Sequence, residues 1–232
     1  LAHILSIETS TRVCSVAIST DSEVVSVKET HVSNSHAEKI TLLCEQALLE
    51  AGLSFSDLDA IAVSQGPGSY TGLRIGVSTA KGFCYALDIP LIAVSTLKAM
   101  ALGMLHLNQL GDKTLFCPMI DARRMEVYNA IFSAKMEQIS PVEATIVDEQ
   151  SFSGHLAKHP MYFAGDGAEK CAPLLGKNQQ AHFMEDFMPS ARWVAQLAIQ
   201  KFAQADFEST AYFEPFYLKD FIAGIPRIKG LT

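Results

Sequence analysis

An α/β protein built of two like lobes is what this sequence predicts, and three observations predict it. Strand-like and helix-like segments alternate along the 232 residues. Each half opens on two apolar strands joined by a short polar turn. In the first half a glycine-rich loop links a buried strand to a long helix.

In the first half, residues 3–7 and 13–18 read as strands joined by the turn Glu8-Thr9-Ser10-Thr11-Arg12, and residues 23–28 complete an antiparallel meander. Residues 36–51 carry a helical apolar period and end at Gly52, a left-handed cap. A short buried strand at 61–64 precedes the loop Gln65-Gly66-Pro67-Gly68-Ser69-Tyr70. A helix at 71–87 follows, closed by Ile89-Pro90, then a strand at 91–94 and a helix at 96–107. The order β-β-β-α-β-α-β-α is that of a ribonuclease-H-like lobe.

The second half starts the same way, with strands at 115–120 and 127–132 around the turn Asp121-Ala122-Arg123-Arg124-Met125-Glu126. A strand at 145–147, a helix near 151–158, a strand at 161–164, a helix after Gly167 and an amphipathic helix at 190–205 follow. The shared topology indicates a duplicated lobe. The expected division is residues 1–107 for the first lobe and 108–232 for a smaller, degenerate second, with the helix near 190–205 able to pack back on the first.

Composition narrows the function classes. With 49% hydrophobic and 19% charged residues the chain is neither disordered nor a disulfide-stapled miniprotein. No apolar run approaches the roughly 18–20 residues that a bilayer requires, so no membrane association is expected. The net charge of −7 and the absence of a Lys/Arg-rich run exclude a large electrostatic footprint for nucleic acid. Five scattered cysteines, Cys14, Cys44, Cys84, Cys117 and Cys171, without a CxxC pair, read as buried free thiols of a reducing cytoplasm. The first twelve residues lack a basic stretch followed by an apolar one, so no export signal is visible. Leu1 in place of Met suggests processing or an engineered terminus.

The glycine-rich stretch Ser64 to Gly76 has the place, strand before and helix after, where backbone N–H groups favour an anion. Its glycine spacing fits neither dinucleotide nor P-loop chemistry, and tight packing explains it equally well. On the following helix, Leu73, Val77, Ala80, Cys84 and Leu87 form one stripe. Gly72, Ile75, Gly76, Thr79, Gly82, Phe83 and Ala86 form a second, small-residue surface that would let another backbone approach, and Arg74, Ser78, Lys81 and Tyr85 mark the polar side. On the preceding helix Leu42 and Leu49 lie a heptad apart among Glu38, Glu45 and Gln46. They are either a seat for a partner helix or ordinary surface leucines.

Glu8, Thr9 and Ser10 could approach a phosphate or a hydrated Mg²⁺, or serve the turn alone. Ser95-Thr96-Leu97-Lys98 matches the SxxK pattern of acylating serine enzymes without its companion motifs, and a helix N-cap at Ser95 explains it better. His155 and His159 form an HxxxH pair, but the glutamate of HExxH is absent and Pro160 ends the helix. No metal ligands are assigned.

These segments together, Ile4-Leu5-Ser6-Ile7-Glu8-Thr9-Ser10, Ser64 through Gly76, and Asp121-Ala122-Arg123-Arg124-Met125-Glu126-Val127-Tyr128, with Pro215-Phe216-Tyr217-Leu218-Lys219 near the end, resemble the TsaB (YeaZ) family. The likeness covers essentially the whole chain. It implies an actin-like, sugar-kinase-like ATPase fold of two ribonuclease-H-like lobes. It also implies an accessory role in transferring threonylcarbamoyl to N6 of adenosine 37 in tRNAs reading codons that begin with A. In such a system the paralogue TsaD is catalytic, the ATPase TsaE docks on the shared platform, ATP, Mg²⁺ and metal belong to the partners, and the lone chain pairs with itself. TsaD carries a metal-binding HxxxH on the helix after the next strand; residues 90–100 here contain no histidine. Relative to active members of the superfamily, the nucleotide loops are degraded. The first turn has Glu8 without glycine, the second has Asp121 followed by Arg123 and Arg124, and Gly165 and Gly167 only loosely match an adenosine-binding turn. Gly66 and Gly68 complete this vestigial set. The alternatives are a small phosphotransferase on the same fold and, less favoured, a glycoprotease-type metallopeptidase.

Overall fold

The computed structural model describes residues 1–32, 35–107 and 111–219. Strands β1 (Ile4–Glu8), β2 (Cys14–Ser19) and β3 (Val24–Thr30) form the antiparallel meander. Helix α1 (His36–Ala51), β4 (Ala60–Gly66), α2 (Tyr70–Leu87), β5 (Leu91–Ser95) and α3 (Thr96–Leu107) follow. The first sheet has the order β3-β2-β1-β4-β5, with β4 parallel to both β1 and β5.

The second half continues with β6 (Leu115–Asp121), β7 (Glu126–Asn129), β8 (Phe132–Ser133), β9 (Glu143–Ile146), α4 (Ser153–Leu156), β10 (Met161–Ala164), α5 (Ala172–Leu175), β11 (Ala181–Phe183) and α6 (Ala191–Ala203). Its sheet runs β11-β10-β6-β7-β9, with β8 pairing β6. Reversed, that is the order of the first sheet, and the parallel β6–β10–β11 set repeats β1–β4–β5. Both lobes therefore have the ribonuclease-H-like arrangement of the actin-like ATPase superfamily.

Several sequence expectations are corrected locally. The single strand expected at 127–132 is divided into β7 and β8. The register stays continuous, Leu115 facing Ser133 and Met119 facing Asn129. The gap falls where Pro118 has no N–H to donate and Ile131 turns its backbone groups to Ser140 Oγ and Ile139 N–H. The helix expected near 151–158 is only α4, and the one after Gly167 is a 3-10 turn at Glu169–Cys171 running into α5. Helix α2 closes one residue before Ile89-Pro90, on Asp88 in the left-handed conformation. β11 escaped notice because three half-buried residues carry almost no periodic signal.

Strand alternation sorts the cores. Leu5, Ile7, Val16, Ile18, Ile61 and Val63 meet α1 and α2 on one face of the first sheet. Ile4, Ala60, Ala62, Ile92 and Val94 meet α3 and α6 on the other. Helix α6, late in the chain, packs chiefly on the first sheet. Its start is tied there through Glu29, which accepts from the Ser15 and Ser190 hydroxyls, while Ala191 N–H donates to Ser15 Oγ at 2.8 Å. Helix α3 turns Leu97, Met100, Ala101 and Met104 to Phe116, Ile120 and Phe132 of the second sheet, so one buried helix joins the two lobes. Gly103 is required where α3 crosses α6, since a Cβ there would stand 2.6 Å from the Trp193 indole nitrogen.

Candidate functional site

The C-terminal ends of β1, β4, β6 and β10 converge where the two hairpin turns and the glycine-rich loop meet, at the crevice position typical of open α/β sheets. In the first turn the fully buried Glu8 accepts a hydrogen bond from Ser10 N–H at 2.6 Å. Burial pushes its carboxyl up, against the opposing pull of the Ser10 and Ser64 hydroxyls and of the Ser10 and Thr9 N–H groups. Ser10 C=O in turn accepts from Ser69 N–H at 2.7 Å, and Ser69 Oγ accepts from Gly72 N–H at 3.3 Å.

This turn lies directly against the start of α2. A Cβ on Gly68 would be 2.5 Å from Ser10 C=O, one on Gly72 would be 2.1 Å from Thr9 C=O, and one on Gly76 would be 2.2 Å from Thr9 Oγ1. Gly72 and Gly76 are therefore buried inside the lobe and do not belong to a partner-facing surface. The small-residue stripe is a seat for the chain's own first turn over its first two helical turns. Beyond them the stripe opens. Ile75, Thr79 and Phe83 are half-buried, and Phe83 stacks on Phe55 at 5.0 Å. Ala86 is exposed, and nothing lies within 4 Å of a Cβ on Gly82. On the adjoining α1, Leu42 is 47% and Leu49 81% exposed.

The second lobe repeats the device. Gly66 (φ 113°) and Gly165 (φ 108°), at the ends of β4 and β10, share a backbone conformation that side chains rarely adopt. A Cβ on Gly165 would meet Met119 C=O at 2.3 Å, and one on Gly167 would meet the Ile120 carbonyl carbon at 2.9 Å. Asp121 N–H donates to Asp166 Oδ1 and Arg123 N–H to Asp121 Oδ1, each at 3.0 Å. Lys170 pairs with Asp121 and donates to Glu126 C=O. Burial raises the Asp166 carboxyl, and the nearby Asp121 charge adds to it. Arg123 (φ 72°) and Arg124 (φ 49°) hold left-handed conformations uncommon for arginine.

Between the turns lies a cleft of about 660 Å³, to which Ser10, Gly68, Asp121 and Arg123 contribute. Arg12, Asp166, Tyr217 and Lys219 also line it and were missed as site residues; only the Pro215–Lys219 motif carried a signal for the last two. In both turns, backbone N–H groups that could cradle a phosphate already donate to the chain's own Glu8, Asp121 and Asp166 carboxylates. An incoming phosphate would have to displace an internal anion in each.

The two decoy motifs resolve simply. Ser95 Oγ accepts from Lys98 N–H at 3.4 Å, as an N-cap does. His159 Nδ1 lies 3.0 Å from Lys113 C=O, and His155 sits on a four-residue helix. Among the described residues no three His, Cys, Asp or Glu side chains are grouped to hold a metal ion. No helix among them is long and apolar enough to cross a membrane. All five cysteines are free and buried.

Comparison with known proteins identifies the family. The family model described as "TsaD: tRNA N6-adenosine threonylcarbamoyltransferase" matches residues 22–226. The Escherichia coli tRNA threonylcarbamoyladenosine biosynthesis protein TsaB is 33% identical, over 95% of this chain and 96% of that one. The Haemophilus influenzae TsaB is 27% identical over 94% and 93%. The structure of YeaZ from Pseudomonas aeruginosa superposes with a TM-score of 0.77 at 25% identity, covering 94% of this chain and all of the other. Full-length likeness, the duplicated lobes and a first lobe whose α3 carries no HxxxH lead to one assignment: the chain belongs to the TsaB (YeaZ) family of tRNA threonylcarbamoyladenosine biosynthesis proteins.

Proposed function

We propose that this chain is a non-catalytic subunit supporting threonylcarbamoyl transfer to N6 of adenosine 37 in tRNAs that read codons beginning with A. It binds a TsaD-type catalytic paralogue, offers with it the platform for a TsaE-type ATPase, reaches tRNA only through that complex, and pairs with itself when alone. ATP, Mg²⁺ and the catalytic metal belong to the partners, and the assembly works in the cytoplasm. The observation that carries the reading is the exposed apolar seam on two helices packed side by side: Leu42 and Leu49 on α1, with Gly82 and Ala86 open on α2. The turn N–H groups already donated to internal carboxylates support the non-catalytic part, and speak against a phosphotransferase.

Burying one leucine contributes about 1.5–3 kcal/mol, and forcing a carboxylate into the same place costs more. Leu49→Glu and Gly82→Arg are therefore expected to weaken pairing with TsaD at least ~100-fold, and to leave the melting temperature of the lone chain within about 2 °C. Size-exclusion chromatography with light scattering reads the first and calorimetry the second. Complexes of unchanged stability with both variants would remove the docking face from α1 and α2. Threonylcarbamoylated tRNA formed by the chain without TsaD would remove the accessory role.

A further inference from the structure

We propose that residues 207–219 form a clasp that ties the two lobes together across the mouth of the cleft. The segment has no helix of its own and only a single bridge to the first sheet, so its path is set by what holds it. Glu208 N–H donates to Leu91 C=O at 2.8 Å, at the edge of β5, and the Phe207 ring leans on Phe202 at 5.7 Å. Lys81 on α2 then donates to two of its carbonyls, Ala211 at 3.2 Å and Phe213 at 3.1 Å, while Phe213 packs against the first core.

At the glycine-rich loop the attachment becomes close. Phe216 N–H donates to Gln65 C=O at 2.7 Å, and Phe216 C=O lies 2.7 Å from the position of a Cβ on Gly66, in the notch left by the missing side chain. Tyr217 then lies on Tyr70 with ring centroids 4.7 Å apart, and Arg74 covers Tyr70 at 5.3 Å. Finally Lys219 pairs with Glu126 on β7, in the other lobe. Tyr217, Leu218 and Lys219 wall the cleft as the chain crosses it.

The mechanical consequence follows from where the other joint sits. Helix α3 joins the lobes through a buried apolar contact that also takes in Phe187 of the chain returning to α6, and a joint confined to that one region leaves rotation about it as the soft motion. A second tie on the cleft side removes that freedom. The joint at α3 is apolar and buried, whereas the clasp is held by a few backbone and lysine hydrogen bonds, two ring contacts and the half-buried Phe213, so the clasp is the part that opens locally at least cost. Lys81, Arg74 and Tyr70 make the polar side of α2 its anchor. This role accounts for the Pro215–Lys219 motif and is independent of any partner.

Hydrogen exchange read by mass spectrometry on the isolated full chain tests it. Lys81→Met keeps the aliphatic stem and removes both bonds to the clasp carbonyls; Glu126→Gln weakens the far anchor. Each is expected to raise exchange about 10-fold in peptides covering 207–217. Peptides bordering the cleft, 66–70 and 120–124, should exchange faster as well, while β1 and β4 keep their protection. Tyr217→Ser, which removes only the ring lying on Tyr70, is expected to give the same pattern and serves if Lys81→Met folds poorly. Unchanged exchange at 207–217 in these variants overturns the clasp. So does a loosened segment whose cleft-bordering peptides exchange as in the wild type, which would make it a surface tail.

Discussion

Placing a methyl group on Gly76 tests whether the glycines of α2 serve the chain's own first turn. The new Cβ would stand 2.2 Å from Thr9 Oγ1, with Thr9 Cβ at 3.4 Å and Cγ2 at 3.5 Å. Both partners sit on fixed backbone, at the end of β1 and in the second turn of α2, so the crowding cannot relax freely. Overpacking of this kind costs about 1–3 kcal/mol, while alanine in a helix interior gains about 1 kcal/mol over glycine. Gly76→Ala in the wild-type background is therefore neutral to destabilising by about 2 kcal/mol. Thr9→Ala removes the obstructing hydroxyl, which is buried without a hydrogen-bond partner, together with the buried Cγ2 methyl, whose loss costs about 1 kcal/mol in either Gly76 background. In that background the nearest atom is Thr9 Cβ, at ordinary contact distance, and Gly76→Ala gains about 1 kcal/mol. The coupling between the two substitutions is then about 1–3 kcal/mol, read as a double-mutant cycle from urea unfolding followed by circular dichroism and Trp193 fluorescence. A coupling below about 0.5 kcal/mol refutes the packing argument. A Gly76→Ala chain of wild-type stability that fails the proposed pairing with TsaD would return Gly76 to the proposed partner surface.

Two further predictions concern ionisation. Glu8 has a folded pKa raised above its ordinary 4.5 by burial, so its contribution is complete below about pH 4.5 and is lost as pH rises through the folded value. Glu8→Gln keeps an acceptor for Ser10 N–H and is expected to raise the melting temperature at pH 7.5 by about 2–4 °C, the advantage vanishing by pH 4; an advantage constant with pH would contradict the buried-carboxyl account. Burial pushes the Cys14 and Cys44 thiols up to about 12 and Cys84 to about 11, and raises Cys117 and Cys171 as well. At pH 8 the native protein should therefore react with less than about 0.1 equivalent of Ellman's reagent in ten minutes, against all five thiols in denaturant; fast titration of any thiol in the native state would sink this.

The reading of the sequence was accurate where a single element decides the outcome. The α1 and α3 bounds were legible from apolar period and capping residues, and the hairpins from alternation interrupted by polar turns. It failed where the deciding contact lies far along the chain. Gly72 and Gly76 look, on a helical wheel, the same as Gly82, because periodicity tells which residues share a side and is silent about what covers it. Thr9 covers the first two from more than sixty positions away. Likewise, nothing local to Arg12 marks it as a neighbour of the cleft that Asp166 lines from the other lobe.

By itself, then, the sequence determined the fold class, the duplicated order of strands, the family and the lack of glycine in the two hairpin turns. These properties reside in short motifs and local periods. Only the tertiary structure decided which glycines are seats and which are open surface, that the turn amides are held by the chain's own carboxylates, and that the last described residues cross from one lobe to the other. Each of these depends on atoms brought within about 3 Å by the packing of two sheets around α3, a coincidence of distant segments that no local pattern records.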